Sequence, residues 1–219
     1  MSKYVVVDTE TTGTDVTEAR VVTAFLGLWD TEEDRFVQYL EFLVNPGVDI
    51  PEEASAIHGI TTEQASKGMD PVEFLELFHY VAHDWAEYPH VLYNAPYDLS
   101  VLNAELERYG YTTFDWNKRQ IIDPLVLERH FNKYKKGKKR LMDVAEQRGI
   151  TLDESRLHSA DYDAEATVRI AVQQIAEWGL PTNEEQAEWH RAWAESFQEY
   201  MRRVKNDPEL VIDTAWPTR

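Results

Sequence analysis

The chain has 219 residues, no cysteine and a formal net charge of −18. That length suits one domain with a terminal elaboration. The missing cysteines exclude a disulfide scaffold and a thiolate zinc site. With 43% hydrophobic residues, a mean hydropathy of −0.52 and no apolar run near the ~20 residues of a membrane span, a globular cytoplasmic protein with no membrane partner is expected. MSKYVVVD enters the first apolar run directly, so no signal peptide is expected.

In chain order, Tyr4–Asp8, Val21–Asp30 and Arg35–Asn45 read as strands, with turns at Asp15–Glu18 and Thr31–Asp34. The short second turn implies antiparallel pairing. Pro71–Trp85 places Val72, Leu75, Phe78 and Ala82 on one helical face. A strand follows at Val91–Tyr93, then a helix at Tyr97–Tyr109, then a strand at Gln120–Asp123 with a helical extension. Helices are expected at Arg140–Arg148 and Tyr162–Glu177, with residues 149–161 a loop between them. Pro181 and Thr182 mark a break, so residues 1–180 read as the domain and 181–219 as a C-terminal extension. In it a helix from Asn183 to about Lys205 carries a stripe of Trp189, Trp193, Phe197, Tyr200, Met201 and Val204. The stripe either packs on the domain or offers a partner an apolar face. Antiparallel strands followed by β-α-β-α predict a ribonuclease H-like α/β fold, a mixed five-stranded sheet flanked by helices.

Three segments carry the chemistry: VVVDTETTG with Asp8 and Glu10, NAPYD with Asp98, and HSADYDA with His158 and Asp163. Asp8 and Glu10 are i and i+2 of a strand, so both point to one face. Asp98 belongs to the first turn of its helix, where a carboxylate also suits the helix dipole. Four carboxylates balance two divalent cations about 4 Å apart, and such a pair can serve the nucleophile, the leaving oxygen and the phosphate of a phosphodiester. Mg²⁺ or Mn²⁺ fits an all-oxygen set. A histidine such as His158 can take the proton from an attacking water. Each segment alone is an ordinary strand end or helix start; the set of three in this order points to a nuclease. Asp161 competes with Asp163, and the expected division is Asp161 as the helix cap and Asp163 as the ligand. Thr11, Thr12 and Gly13 end the first strand and offer hydroxyls and amides to a substrate.

These motifs resemble those of the DEDDh (DnaQ-like) 3′→5′ exonucleases, the family that includes the proofreading epsilon subunit of bacterial DNA polymerase III. The similarity runs over about residues 3–178 and takes in VNPGVDIPEEASAIHGIT, IIDPLVLERH and KRLMDVAEQRGI. It implies that Asp8 bridges two metal ions and that Glu10 and Asp163 hold the one that binds the attacking water. Asp98 would serve the second ion, and His158 would be the general base. Thr11, Ile57, His58 and Tyr97 match positions that line the terminal-nucleotide pocket. Ile57 and Tyr97 read either as wedges beside the last base or as plain core, and His58 either as pocket wall or as a partner for a loop backbone. The implied substrate is a single-stranded 3′ end, DNA favoured over RNA, and a DNA polymerase is a candidate partner. An RNA-trimming or oligoribonuclease-like enzyme and a catalytically silent nucleic-acid-binding module are the rivals. The intact set of five residues argues against the silent module.

A charge of −18 is unexpected for a nucleic-acid partner. RHFNKYKKGKKR, from Arg129 to Arg140, holds seven of the 22 basic residues and no acid. Its lysines Lys135, Lys136, Lys138 and Lys139 are the expected phosphate contacts, with a solvated loop as the plain alternative.

Overall fold

The computed structural model describes residues 2–151 and 160–219. Five strands form one mixed sheet: β1 (Lys3–Thr11), β2 (Val21–Asp30), β3 (Arg35–Leu43), β4 (His90–Val91) and β5 (Ile121–Ile122). Their order is β3-β2-β1-β4-β5, with β1–β2 and β2–β3 antiparallel and β1–β4 and β4–β5 parallel. This is the ribonuclease H-like α/β arrangement that the sequence predicts.

Central position explains why β1 reads as an unbroken apolar run. Its odd residues Val5 and Val7 join one core, with Phe74 and Phe78 of α3 (Pro71–Asp84) and Leu99 and Leu102 of α4 (Ala95–Arg108). Its even residues Tyr4 and Val6 join a second core, against Ala164, Val168 and Ala171 of α7 (Ala160–Trp178). Those three lie at i, i+4 and i+7, the spacing of one helix face. At the edge, β3 is buried only at Phe42.

Four connecting helices complete the domain's ends. α1 (Glu52–His58) and the single turn α2 (Thr62–Ala65) follow β3. Neither is foreseen by the sequence. α1 buries no residue, so it has no apolar stripe to reveal it, and it stops at Gly59 in the left-handed region. α5 (Pro124–Phe131) is the helical extension of β5. α6 (Leu141–Gln147) packs through Val144 and Ala145 on Ile170 of α7.

α7 begins at Ala160, two residues before the expected start. Asp161 is therefore inside the first turn and cannot be the cap that the sequence suggests. Residues 152–159 of the expected 149–161 loop lie outside the described residues, and Ala160 and Asp161 are helical rather than loop.

α8 (Asn183–Lys205) starts with a capping box, Thr182 with Glu185. Its first half packs on α5: Trp189 stacks on His130 at 4.2 Å, and the Arg129 guanidinium lies 3.4 Å from the Trp193 ring centroid. Further along, Tyr200 and Val204 are exposed. Beyond α8 the chain returns to the main core, where Trp216 is buried, and the Arg219 amide donates to the Ser100 hydroxyl of α4 at 2.8 Å. That return has no periodic signal in the sequence. Among the described residues no helix is long and apolar enough to cross a membrane.

Candidate active site

The site gathers where parallel strands end, the usual place for a ligand in an open α/β sheet. β1 outlasts its parallel neighbour β4, whose last paired residue is Val91 opposite Val6. Beyond that point β1 has backbone donors with no strand beside them, and these need partners. Asp98, in the first turn of α4, takes one. Its Oδ1 accepts from the Thr9 amide at 3.0 Å and from the Thr9 hydroxyl at 2.6 Å. The second motif is thus tied directly to the first. Thr9, between the two acids of DTE, is a site residue that the sequence reading missed; a hydroxyl flanked by two candidate ligands was the available signal.

Asp8 and Glu10 lie on the even face of β1, the face that carries Val6 against α7. Asp163 comes from the first turn of α7. The electrostatics register the convergence. Burial, then the charges of Asp98, Glu10 and Asp163, push the Asp8 carboxyl well above the usual range. Burial and Asp163 push Glu10 up to about 7. Asp98 is also raised, by burial first; its hydrogen bonds from Thr9 oppose the rise, and Glu10 adds to it. These are like charges held together in a partly dry place.

The two competing acids of α7 diverge. Asp161 lines a different hollow, with Asp34, Arg35 and Tyr39, while Asp163 acts on Asp8 and Glu10. Residues two apart on a helix point about 200° apart. His158 lies outside the described residues.

Beside the carboxylates opens a cleft of about 380 Å³. The β1 end supplies Thr9 through Thr14, α1 and the residue before it supply Pro51, Glu53, Ala54, Ile57 and His58, and α4 supplies Tyr97. All five pocket residues expected from the sequence (Thr11, Thr12, Ile57, His58 and Tyr97) are in this wall. Ile57 is 78% exposed, so the plain-core alternative fails for it. The Tyr97 hydroxyl donates to the Gly13 carbonyl and is hydrogen-bonded to the Thr11 hydroxyl, which fixes its ring at the cleft floor. His58 Nδ1 accepts from the Ile60 amide at 3.1 Å, the loop-backbone role. Burial lowers its pKa, and a backbone hydrogen bond with Thr11 opposes the shift. Pro51, Glu53 and Ala54 were missed because α1 itself was not foreseen.

The basic run divides. Arg129 is half-buried and stacked on Trp193; Lys139 Nζ lies 3.7 Å from Glu128 and 3.0 Å from the Asn132 carbonyl; Arg140 bonds Asp143 at 2.7 Å. Lys135, Lys136 and Lys138 are exposed. Lys139 is thus occupied within the fold, which departs from its expected phosphate role, because the buried Glu128 carboxylate needs a counter-charge.

The donor set fits hard divalent cations: carboxylate oxygens, with no thiol in the chain. Among the described residues no three His, Asp or Glu side chains are gathered closely enough to hold a metal ion as they stand.

An exonuclease family model, RNase_T, matches residues 5–171. An exonuclease of Escherichia phage 186, CP81, is 31% identical over 174 residues, covering 75% of this chain and 84% of its own. The DNA polymerase III epsilon subunit of Rickettsia conorii is 30% identical over 135 residues, covering 58% of this chain and 54% of its own. The chain thus spans about half the length of that epsilon subunit. Among solved structures, exonuclease I of E. coli in complex with a dT13 oligonucleotide superposes with a TM-score of 0.65 at 21% identity, over 87% of this chain and 44% of that one. That likeness is one of fold. The long match to the family model and the phage relative establish that the chain belongs to the exonuclease family.

Proposed function

We propose that this protein is a two-metal 3′→5′ exonuclease that releases nucleoside 5′-monophosphates from a single-stranded end, DNA in preference to RNA. The observation that carries the reading is the mutual perturbation of Asp8, Glu10, Asp98 and Asp163 at the rim of the cleft. Four acids on three elements repel one another there at a cost in stability, and a shared cationic ligand accounts for the cost. Two Mg²⁺ or Mn²⁺ ions would neutralise phosphate charge and lower the pKa of a water at this site.

The chain's own residues supply the rest. Asp8, Glu10, Asp98 and Asp163 hold the cations. Thr9 fixes one oxygen of Asp98 through its amide and its hydroxyl. Thr12 offers its hydroxyl proton to the cleft, Thr11 lines it with its own hydroxyl donated to the Gly13 carbonyl, and Ile57 and Tyr97 flank the terminal base. His158, assigned from its motif, accepts the proton of the attacking water. Lys135, Lys136 and Lys138 are a phosphate-contacting strip on an otherwise acidic molecule. Single-stranded DNA is the favoured substrate because a fold neighbour, exonuclease I, has been seen with such oligonucleotides. A DNA polymerase is a candidate partner because several relatives are polymerase III epsilon subunits.

The test is a time course on 5′-labelled and 3′-labelled DNA and RNA of one sequence with Mg²⁺. A 3′ label should appear at once as mononucleotide while a 5′ label gives a descending ladder, faster for DNA. The opposite polarity, or internal cuts, would contradict the reading. Faster loss of RNA would favour the RNA-trimming alternative.

A further inference from the structure

We propose that Asp123 is a positioning residue for the reaction, setting Asp98 through the start of α4, and that Gln186 of α8 holds Asp123 in turn. The inference rests on the reading of Asp98 as a cation ligand.

Asp123 is 1% exposed and stands outside the carboxylate cluster. Its carboxylate accepts four backbone amides from two helices. Leu125 and Val126, at 3.0 and 3.4 Å, belong to α5, which Asp123 caps in the ordinary way. Asn94 and Ala95, both at 3.0 Å, belong to the start of α4. A cap for α5 alone does not call for the second pair.

α4 has no cap of its own. Asn94 sits at its N-cap with φ of 70° and makes no side-chain capping bond, and Pro96 in the first turn has no N–H to give. Asp123 therefore anchors the start of α4 from across the fold. Asp98 follows three residues after Ala95, in the same turn, and its Oδ1 must meet Thr9 at 2.6–3.0 Å. A tilt of that turn moves the Asp98 carboxylate against β1.

The anchor is itself held. The Asp123 amide donates to Gln186 Oε1 at 2.8 Å, and Gln186 Nε2 donates to the Ile121 carbonyl at 2.7 Å. Gln186 is fully buried, so its side-chain amide acts as a rung beside the outer parallel strand, β5. The chain of contacts runs α8, β5, α4, Asp98, and it gives the C-terminal helix a part in the site that it does not touch.

The test compares wild type, Asp123→Asn, Gln186→Met and the core control Leu75→Val on α3. Each is titrated with Mn²⁺ by calorimetry, melted, and assayed for kcat and KM on a single strand. Partners that orient a ligand typically change metal affinity or activity 10–100-fold. Asp123→Asn should weaken Mn²⁺ binding about 10-fold and lower kcat with KM little changed. Gln186→Met should shift the same way by less, and it carries the test if Asp123→Asn does not fold. Leu75→Val should lower the melting temperature and leave Mn²⁺ affinity as in wild type. Wild-type Mn²⁺ affinity in both site variants, with only the melting temperature reduced, overturns the inference and leaves the exonuclease reading intact. A wild-type protein that binds no Mn²⁺ overturns both.

Discussion

Asp161 and Asp163 are two residues apart and serve different surroundings. Asp163 acts on Asp8 and Glu10, whereas Asp161 shares a hollow with Arg35. Asp163→Asn should be folded, with turnover nearly abolished, and should melt higher than wild type in chelator because one repelling charge is gone. Asp161→Asn should keep its activity. Exonuclease rates and paired melts check this, and an inactive Asp161→Asn beside an active Asp163→Asn would reverse the assignment. Glu10 adds a dependence on pH. Its folded carboxyl is raised from 4.5 to about 7, so the folded protein keeps a proton that the unfolded chain has released. The stabilising contribution is full below about 4.5 and is lost as pH rises to about 7. Metal-free protein should therefore melt progressively lower across that window, and saturating Mn²⁺, which binds the ionised form, should flatten the slope. Glu10→Gln should remove most of the slope in chelator. Melts in chelator with no such difference between Glu10→Gln and wild type would contradict the account.

Elements were legible in the sequence where burial imposed a period. α3 and α7 show their buried faces as stripes, and β1 and β2 show theirs as apolar runs. α1 was not legible because it buries nothing, although its exposed side chains form one wall of the cleft. The motif segments stood out because ligand chemistry restricts residue type; the fold brings Asp8, Glu10, Asp98 and Asp163 near one another, and His158 lies outside the described residues. Thr9 was missed although it stands between two candidate ligands, and Asp123 was missed because hydrogen bonds to backbone amides leave no pattern in a single chain. The C-terminal return was invisible for a related reason: one buried Trp216 carries it. Trp216→Ala should cost about 3–5 kcal/mol, as for other large-to-small core changes. Urea unfolding measures it, and a loss below about 1 kcal/mol would mean that the tail is a surface strand of little consequence.

At the scale of the whole molecule, a charge of −18 opposes a polyanionic substrate. The arrangement resolves the conflict locally. On the proposed function, the acids beside the cleft would become an attractive site once cations bind, and Lys135, Lys136 and Lys138, which are exposed, would give phosphates a second contact. The central claim is that the four carboxylates act by holding divalent cations. The most direct measurement is a digestion time course on a 3′-labelled single strand in excess EDTA, followed by addition of Mg²⁺ or Mn²⁺ beyond the chelator. The account predicts no release of label in EDTA and restored release on adding either ion. Undiminished digestion in excess EDTA would contradict it.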